Sequence, residues 1–245
     1  MYKLVLLRHG ESVWNKQNRF TGWTDVALSA RGRREAIQAG RELKKNGFKF
    51  DLAFTSLLKR ATNTLRLALK EMLESQIPVE YDWRLNERHY GNLQGQSKLE
   101  MIDKVGLKKV MIWRRSYDVR PPLIKPSNPY NQIKDIKYAG IKVPRAESLK
   151  DVVARVVPLW KEEILPAMMS GKKVLVVASG NSLRALIKYL DKLTPATVSK
   201  LNIPTGIPLV YEFNRKWRPQ KHYYLANQAT LVAAVDKVKN QTPTK

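Results

Sequence analysis

Two short, unbroken apolar runs limit what this chain can fold into: Leu4 to Leu7 near its start, and the run that follows Lys173 and ends at Ala178 far along it. A strand that is apolar at every successive residue must be covered on both faces. That is the condition of a parallel strand buried between helices, not of a half-exposed antiparallel one. Each run stops at a polar segment containing glycine: Arg8-His9-Gly10-Glu11-Ser12 after the first, Ser179-Gly180-Asn181-Ser182 after the second. Ligands of open α/β sheets sit beyond the carboxyl ends of the strands. The two polar segments are therefore where chemistry is expected.

The intervening sequence supplies the helices. Ser29 is a suitable N-cap and Gly47 a suitable C′ residue for one. Leu57 to about Leu73 predicts a second, with Arg60 in its first turn. Phe50 to Phe54 and Pro78 to Tyr81 read as further strands. Glu147 to Met168 is helical in period, with a break expected near Pro158 or Pro166. Leu183 to Leu190 continues as a helix after Ser179-Gly180-Asn181-Ser182, and Thr194-Pro195 reads as an N-cap followed by a first-turn proline. Ile207 to Phe213 and Tyr223 to Leu225 flank a turn and predict a hairpin. The fold class is α/β, with a mainly parallel sheet and helices on both faces. One domain is expected over 1–237, with a proline-interrupted excursion over about 91–145 and a polar tail over 238–245. An excursion of that size in a compact domain is usually functional.

Charge restricts the partners. Of 245 residues, 45 are Lys or Arg and 21 are Asp or Glu, a formal net charge of +24. Such a surplus favours anions: phosphorylated metabolites, nucleic acid or an acidic membrane face. No RNA-recognition signature or zinc-finger spacing is present, so nucleic acid is not expected as the main partner. Cysteine is absent, which excludes disulfides and thiolate metal sites. No apolar run approaches the roughly 20 residues needed to cross a bilayer. The chain passes from Met1 straight into an apolar strand with no signal-peptide layout, so a cytoplasmic protein is expected.

His9 is the candidate for chemistry. A neutral imidazole is nucleophilic at physiological pH and can carry a phosphoryl group. Neighbouring cations disfavour its protonated form, so Arg8 fits two roles: it holds phosphate oxygens and keeps the ring neutral. A glycine at a strand-to-helix junction also lets backbone N–H groups approach an anion.

Several longer segments share one pattern. They are Arg8-His9-Gly10-Glu11-Ser12-Val13-Trp14-Asn15 with Asn18 to Trp23, Leu85-Asn86-Glu87-Arg88-His89-Tyr90 running on to Gly95, and Ile112-Trp113-Arg114-Arg115-Ser116-Tyr117-Asp118. Glu147 to Asp151 and Leu201 to Pro208 complete the set. In order and spacing, from about Lys3 to Tyr224, these resemble the bisphosphoglycerate-dependent phosphoglycerate mutases of the histidine phosphatase superfamily. The resemblance implies interconversion of 3- and 2-phosphoglycerate through a phosphohistidine at His9, primed by 2,3-bisphosphoglycerate and needing no metal. It implies that Arg8 and Arg60 hold the phosphoryl oxygens and that Glu87 is the general acid and base. Arg88, Tyr90, Lys98, Arg114 and Arg115 would grip the substrate carboxylate and second phosphate. Ser12, Asn15, Thr21, Gly22, Gly180 and Asn181 would complete the phosphate shell. A homodimer or homotetramer is implied as well.

One position departs from the pattern. The family has a histidine before Gly-Asn-Ser, and this chain has Ser179. The other two histidines, His89 and His222, stand in no motif position that replaces it. A serine keeps a hydroxyl donor but is shorter and cannot be cationic. Loss of one preorganised donor of this kind costs about 3–4 kcal/mol in the transition state. The sequence therefore leaves open a weakened mutase, an impaired paralogue that binds phosphoglycerates, and a bisphosphoglycerate phosphatase or synthase.

Overall fold

A computed structural model describes residues 1–240. Its elements run β1 (Tyr2–Arg8), α1 (Val13–Lys16), α2 (Ala30–Lys45), β2 (Leu52–Thr55), α3 (Lys59–Met72) and β3 (Val79–Tyr81). The excursion follows, with α4 (Lys98–Val105) and α5 (Leu107–Arg115). Then come α6 (Leu149–Leu159), α7 (Leu165–Met169), β4 (Val174–Ala178), α8 (Gly180–Leu190), α9 (Pro195–Lys200), β5 (Leu209–Phe213), β6 (Pro219–Tyr224) and α10 (Gln228–Lys239). The six strands form one sheet in the order β3-β2-β4-β1-β5-β6. The first four are mutually parallel, while β5 and β6 are antiparallel to their neighbours. The sheet is thus mixed, with the predicted hairpin supplying its antiparallel edge.

The continuous apolar runs do what their composition requires. Leu4, Leu6, Val174, Val176 and Ala178 face a core built with Leu149, Val152 and Val156 of α6 and Leu183, Leu186 and Ile187 of α8. Val5, Leu7, Leu175 and Val177 face the opposite core, with Ala39 and Leu43 of α2 and Leu65, Ala68 and Leu69 of α3. Alternate residues of a strand point to opposite faces, so each central strand is buried twice. A smaller cluster of Phe20, Leu93, Met101, Val110 and Trp113 fastens the excursion beside the sheet's carboxyl edge.

Two details differ from expectation. The long helix does not break at its prolines. Pro158 lies inside α6, and the chain runs through a π-helical turn, Trp160–Ile164, into α7. The wide turn comes just before Pro166 and accommodates that ring against the carbonyls preceding it without ending the helix. A helix that the sequence reading did not foresee, α10, runs to Lys239 and so takes in the first two residues of the expected polar tail, with Asn227 as its cap and Val238 buried. Residues 241–245 of that tail lie outside the described residues. No helix is long and apolar enough to cross a membrane, among the described residues.

Candidate active site

The parallel pairing of β1 with β4 sets the site. Arg8 is in register with Ala178, and His9 N–H donates to Ala178 O at 3.1 Å, so His9 and Ser179 leave the sheet side by side. Close packing then requires glycine at position 10 and leaves little room at position 180. A Cβ on Gly10 would lie 2.1 Å from Gly32 O, so the first loop sits directly on α2; one on Gly180 would lie 3.2 Å from Arg8 Nε.

The His9 tautomer follows from its contacts. Nδ1 lies 2.7 Å from Gly10 O, an acceptor only, so Nδ1 carries the proton. Nε2 therefore keeps its lone pair and accepts from Arg60 Nε at 3.2 Å. Burial holds the ring's pKa well below the ordinary histidine value, and the Arg60 and Arg8 charges push the same way. Arg60 is itself fixed, with Nη1 donating to Thr24 O at 2.9 Å and Nη2 to Gly22 O at 2.7 Å. Thr64 joins them: its hydroxyl donates to Arg60 O and accepts from Gly10 N. The nucleophilic nitrogen is thus neutral, oriented and beside a guanidinium.

Glu87 faces the same cleft from the segment after β3. Its Oε1 accepts from Arg88 N at 2.7 Å and Asn181 Nδ2 at 2.6 Å, and its Oε2 from Asn181 N at 3.4 Å. The segment rests on a buried ion pair that sequence reading did not single out. Arg155 donates to Glu147 at 2.7 and 3.0 Å and to the carbonyls of Asn86 and Glu87, and Glu147 accepts from His89 N.

Cations close the remaining walls. Arg8, His9, Asn15, Thr21, Gly22, Arg60, Glu87, Tyr90, Lys98, Arg114, Arg115, Gly180 and Asn181 line one cleft. Three predicted residues do not line it. Ser12 is fully buried, and its hydroxyl caps α1 by accepting from Asn15 N. Arg88 is also fully buried, donating to Arg114 O and Tyr90 OH with its ring-facing guanidinium 4.7 Å from the Tyr90 centroid. Ser179 is buried at the N-cap of α8, yet its side chain makes no cap hydrogen bond. His89 packs elsewhere, between Gly91 N and Gln132, and His222 lies near Asp191 on β6.

The cleft also contains residues that the sequence reading passed over. Arg184 lies one helical turn after Asn181, and Asn202 and Ile203 come from the segment after α9. Val238 comes from α10, whose Lys237 pairs with Glu11 at 2.6 Å. Leu231, Val235 and Val238 have helical spacing, a signal in the sequence that the polar composition of the tail obscures.

The electrostatics call for an anion. Burial and mutual repulsion lower the pKa of Lys98 well below the usual lysine value, with Arg114, Arg8 and Arg115 the repelling charges, and bring Arg114 to about 10. Arg8 Nε, Thr21 Oγ1, Arg88 Nε and Nη1, Ser179 Oγ and Arg184 Nε are buried without a partner. Buried polar groups are normally paired, so a concentration of orphaned donors around one cleft fits a ligand rich in acceptor oxygens. Among the described residues no group of three or more His, Asp or Glu is arranged to hold a metal ion.

Comparison with known proteins gives a consistent placement. A family model described as histidine phosphatase superfamily (branch 1) matches residues 4–222. A 2,3-bisphosphoglycerate-dependent phosphoglycerate mutase of Borreliella burgdorferi is 55% identical over 244 residues, covering 98% of both chains. Its counterpart in Borreliella afzelii is 56% identical over the same length. Among solved structures, a mycobacterial glucosyl-3-phosphoglycerate phosphatase in complex with VO3 superposes with a TM-score of 0.68 at 27% identity, covering 93% of this chain and 100% of that one. Bacillus stearothermophilus YhfR, at 21% identity and a TM-score of 0.68, shares the fold.

Proposed function

The chain belongs to the histidine phosphatase superfamily, and from that premise we propose that it interconverts 3-phosphoglycerate and 2-phosphoglycerate through a phosphoryl group carried on His9 Nε2. The observation that carries this reading is the His9 ring: neutral, fixed by Gly10 O, with its Nε2 lone pair turned to the cleft-lining Arg60 guanidinium, from which it accepts. In this reading His9, charged with a phosphoryl group from 2,3-bisphosphoglycerate, passes it to the free 2-hydroxyl of 3-phosphoglycerate; the bisphosphate so formed gives its 3-phosphoryl group back to His9 and leaves as 2-phosphoglycerate. Arg8 and Arg60 balance the charge that accumulates on the oxygens in transit. Glu87 gives a proton to the hydroxyl that loses the group and removes one from the hydroxyl that gains it. Lys98, Arg114 and Arg115 hold the carboxylate and the second phosphate, with Tyr90, Asn15, Thr21, Gly22, Gly180 and Asn181 completing the shell. Arg88 acts by holding Tyr90 and the Arg114 carbonyl, and Ser12 by shaping the first loop.

The primer fits the donor set, since its two phosphates and carboxylate match the orphaned and mutually repelling cations of the cleft. A homodimer or homotetramer in the cytoplasm is part of the same proposal.

Ser179 sets the rate. Ser179 leaves the sheet beside His9, but its hydroxyl is buried without a partner and does not line the cleft, so it offers the phosphoryl oxygens at most one neutral hydrogen bond. The test is a coupled mutase assay on metal-free protein with added primer. We expect measurable turnover, raised by about 10²–10³ in Ser179→His. Zero turnover in both proteins refutes the proposal.

A further inference from the structure

Arg184 has an environment that α8 does not need for stability. The side chain is buried, with 5% of its surface exposed. Removing a guanidinium from water costs several kcal/mol unless a counter-charge or a full set of acceptors compensates. Arg184 has neither. Nη1 donates to Asn181 Oδ1 at 2.8 Å, Nη2 donates to Val198 O at 2.6 Å, and Nε has no partner. The surrounding charges add to the cost, since Arg115 and Arg88 are near enough to reinforce the effect of burial and bring its pKa down to about 9.

The contact with Asn181 has a directional consequence. A carboxamide can present either end, but a guanidinium only donates. Arg184 therefore forces Oδ1 of Asn181 toward itself and turns the NH2 the other way. There Nδ2 donates to Glu87 Oε1 at 2.6 Å and lies 3.4 Å from Tyr90 OH. A flipped amide would set Oδ1 against the carboxylate, two acceptors facing each other. With Oε1 held by Asn181 Nδ2 and Arg88 N, Oε2 keeps only the long 3.4 Å contact from Asn181 N and is the oxygen left to exchange a proton.

We propose that Arg184 is a positioning residue for Glu87: it locks the Asn181 carboxamide in the one orientation that clamps Oε1 and leaves Oε2 for the substrate hydroxyl. The inference rests on the acid–base role proposed above for Glu87. Arg184 also lines the cleft, so the alternative is a direct grip on the substrate anion, and the two differ in what they change. A misdirected acid slows chemistry on bound substrate, whereas a lost grip weakens binding.

The experiment compares Arg184→Met, Arg184→Gln and Arg184→Lys with the unsubstituted chain, in steady-state mutase assays and in end-point phosphorylation of the protein by 2,3-bisphosphoglycerate. We expect kcat to fall by about 10–100-fold in Arg184→Met, with KM changed by less than about twofold. Arg184→Lys, which keeps a donor-only group toward Asn181, recovers most of the loss, whereas Arg184→Gln, whose carboxamide can present either end, recovers less. In an Asn181→Ala background Arg184→Met has little further effect, because the two residues act in series. A rise in KM at constant kcat, or full additivity with Asn181→Ala, overturns the proposal. Nuclear magnetic resonance separates it from the wider reading. The side-chain NH2 signals of Asn181 respond to Glu87→Gln in the unsubstituted chain and cease to respond in Arg184→Met. Persistence of that response in Arg184→Met overturns the positioning claim even if no phosphate ever reaches His9. Absence of phosphate on His9 with the expected amide behaviour overturns only the reaction.

Discussion

The protonation state of single rings decides most of what happens in this molecule. His89 makes the point away from the cleft. Its Nδ1 accepts from Gly91 N at 3.0 Å, and its Nε2 lies 3.2 Å from Gln132 Oε1, so the neutral form satisfies both partners. Burial lowers its pKa to about 4 against Glu147, which pulls the other way. The unfolded chain, with an ordinary histidine, binds the proton first as pH falls. Stability is therefore full above about pH 6.5 and declines between there and about pH 4, by about 3 kcal/mol from this residue when the decline is complete. His9, lowered in the same direction, adds to the loss. Ring-carbon chemical shifts should show His89 neutral at about pH 5, and a midpoint near the ordinary value would contradict the packing.

At the scale of elements, what positions Glu87 is the Arg155–Glu147 pair between α6 and the segment after β3. Both side chains are buried, and together they satisfy three carbonyls, of Arg84, Asn86 and Glu87, and the His89 N–H. Arg155→Met leaves the Glu147 carboxylate buried without its partner. We expect a loss of about 3–5 kcal/mol in stability, measured by denaturant unfolding. A change under about 1 kcal/mol would place the pair among exposed bridges.

The elements also show what the sequence could reveal. Unbroken apolar runs located β1 and β4, because burial on both faces leaves no room for polar alternation. Ser29 and Thr194 located helix starts, because a hydroxyl N-cap satisfies a backbone N–H that nothing else reaches. The cleft residues were legible through the family-like segments, and the cleft contains nearly all of them. Ser12 and Arg88 were placed in the shell because motif membership does not distinguish a residue that touches ligand from one that supports it. Arg155 and Arg184 were hidden for a related reason. Their roles depend on which carbonyls and amides arrive from distant segments, such as Asn86 and Val198, and no local spacing records that. The helicity of α10 was masked by the polar composition of its neighbourhood.

For the whole molecule the net charge of +24 is the property that reaches furthest from the site. Only part of it lies in the cleft. The remainder gives the protein a long-range field that concentrates anionic substrates around it. Such a field is screened over about 8–10 Å at ordinary ionic strength. We expect kcat/KM to fall steadily between about 0.02 and 0.3 M salt while kcat stays within about twofold. If both parameters moved together, salt would be acting on the site rather than on encounter.

The sheet, the two cores and the ring of cations all converge on one nitrogen. Mass spectrometry of the intact protein after brief incubation with 2,3-bisphosphoglycerate, followed by peptide mapping under conditions that preserve phosphohistidine, tests that convergence directly. One phosphoryl group on the His9 peptide, absent in His9→Gln, is the predicted result. A protein that stays unmodified, or carries its phosphate on a residue outside the cleft, contradicts it.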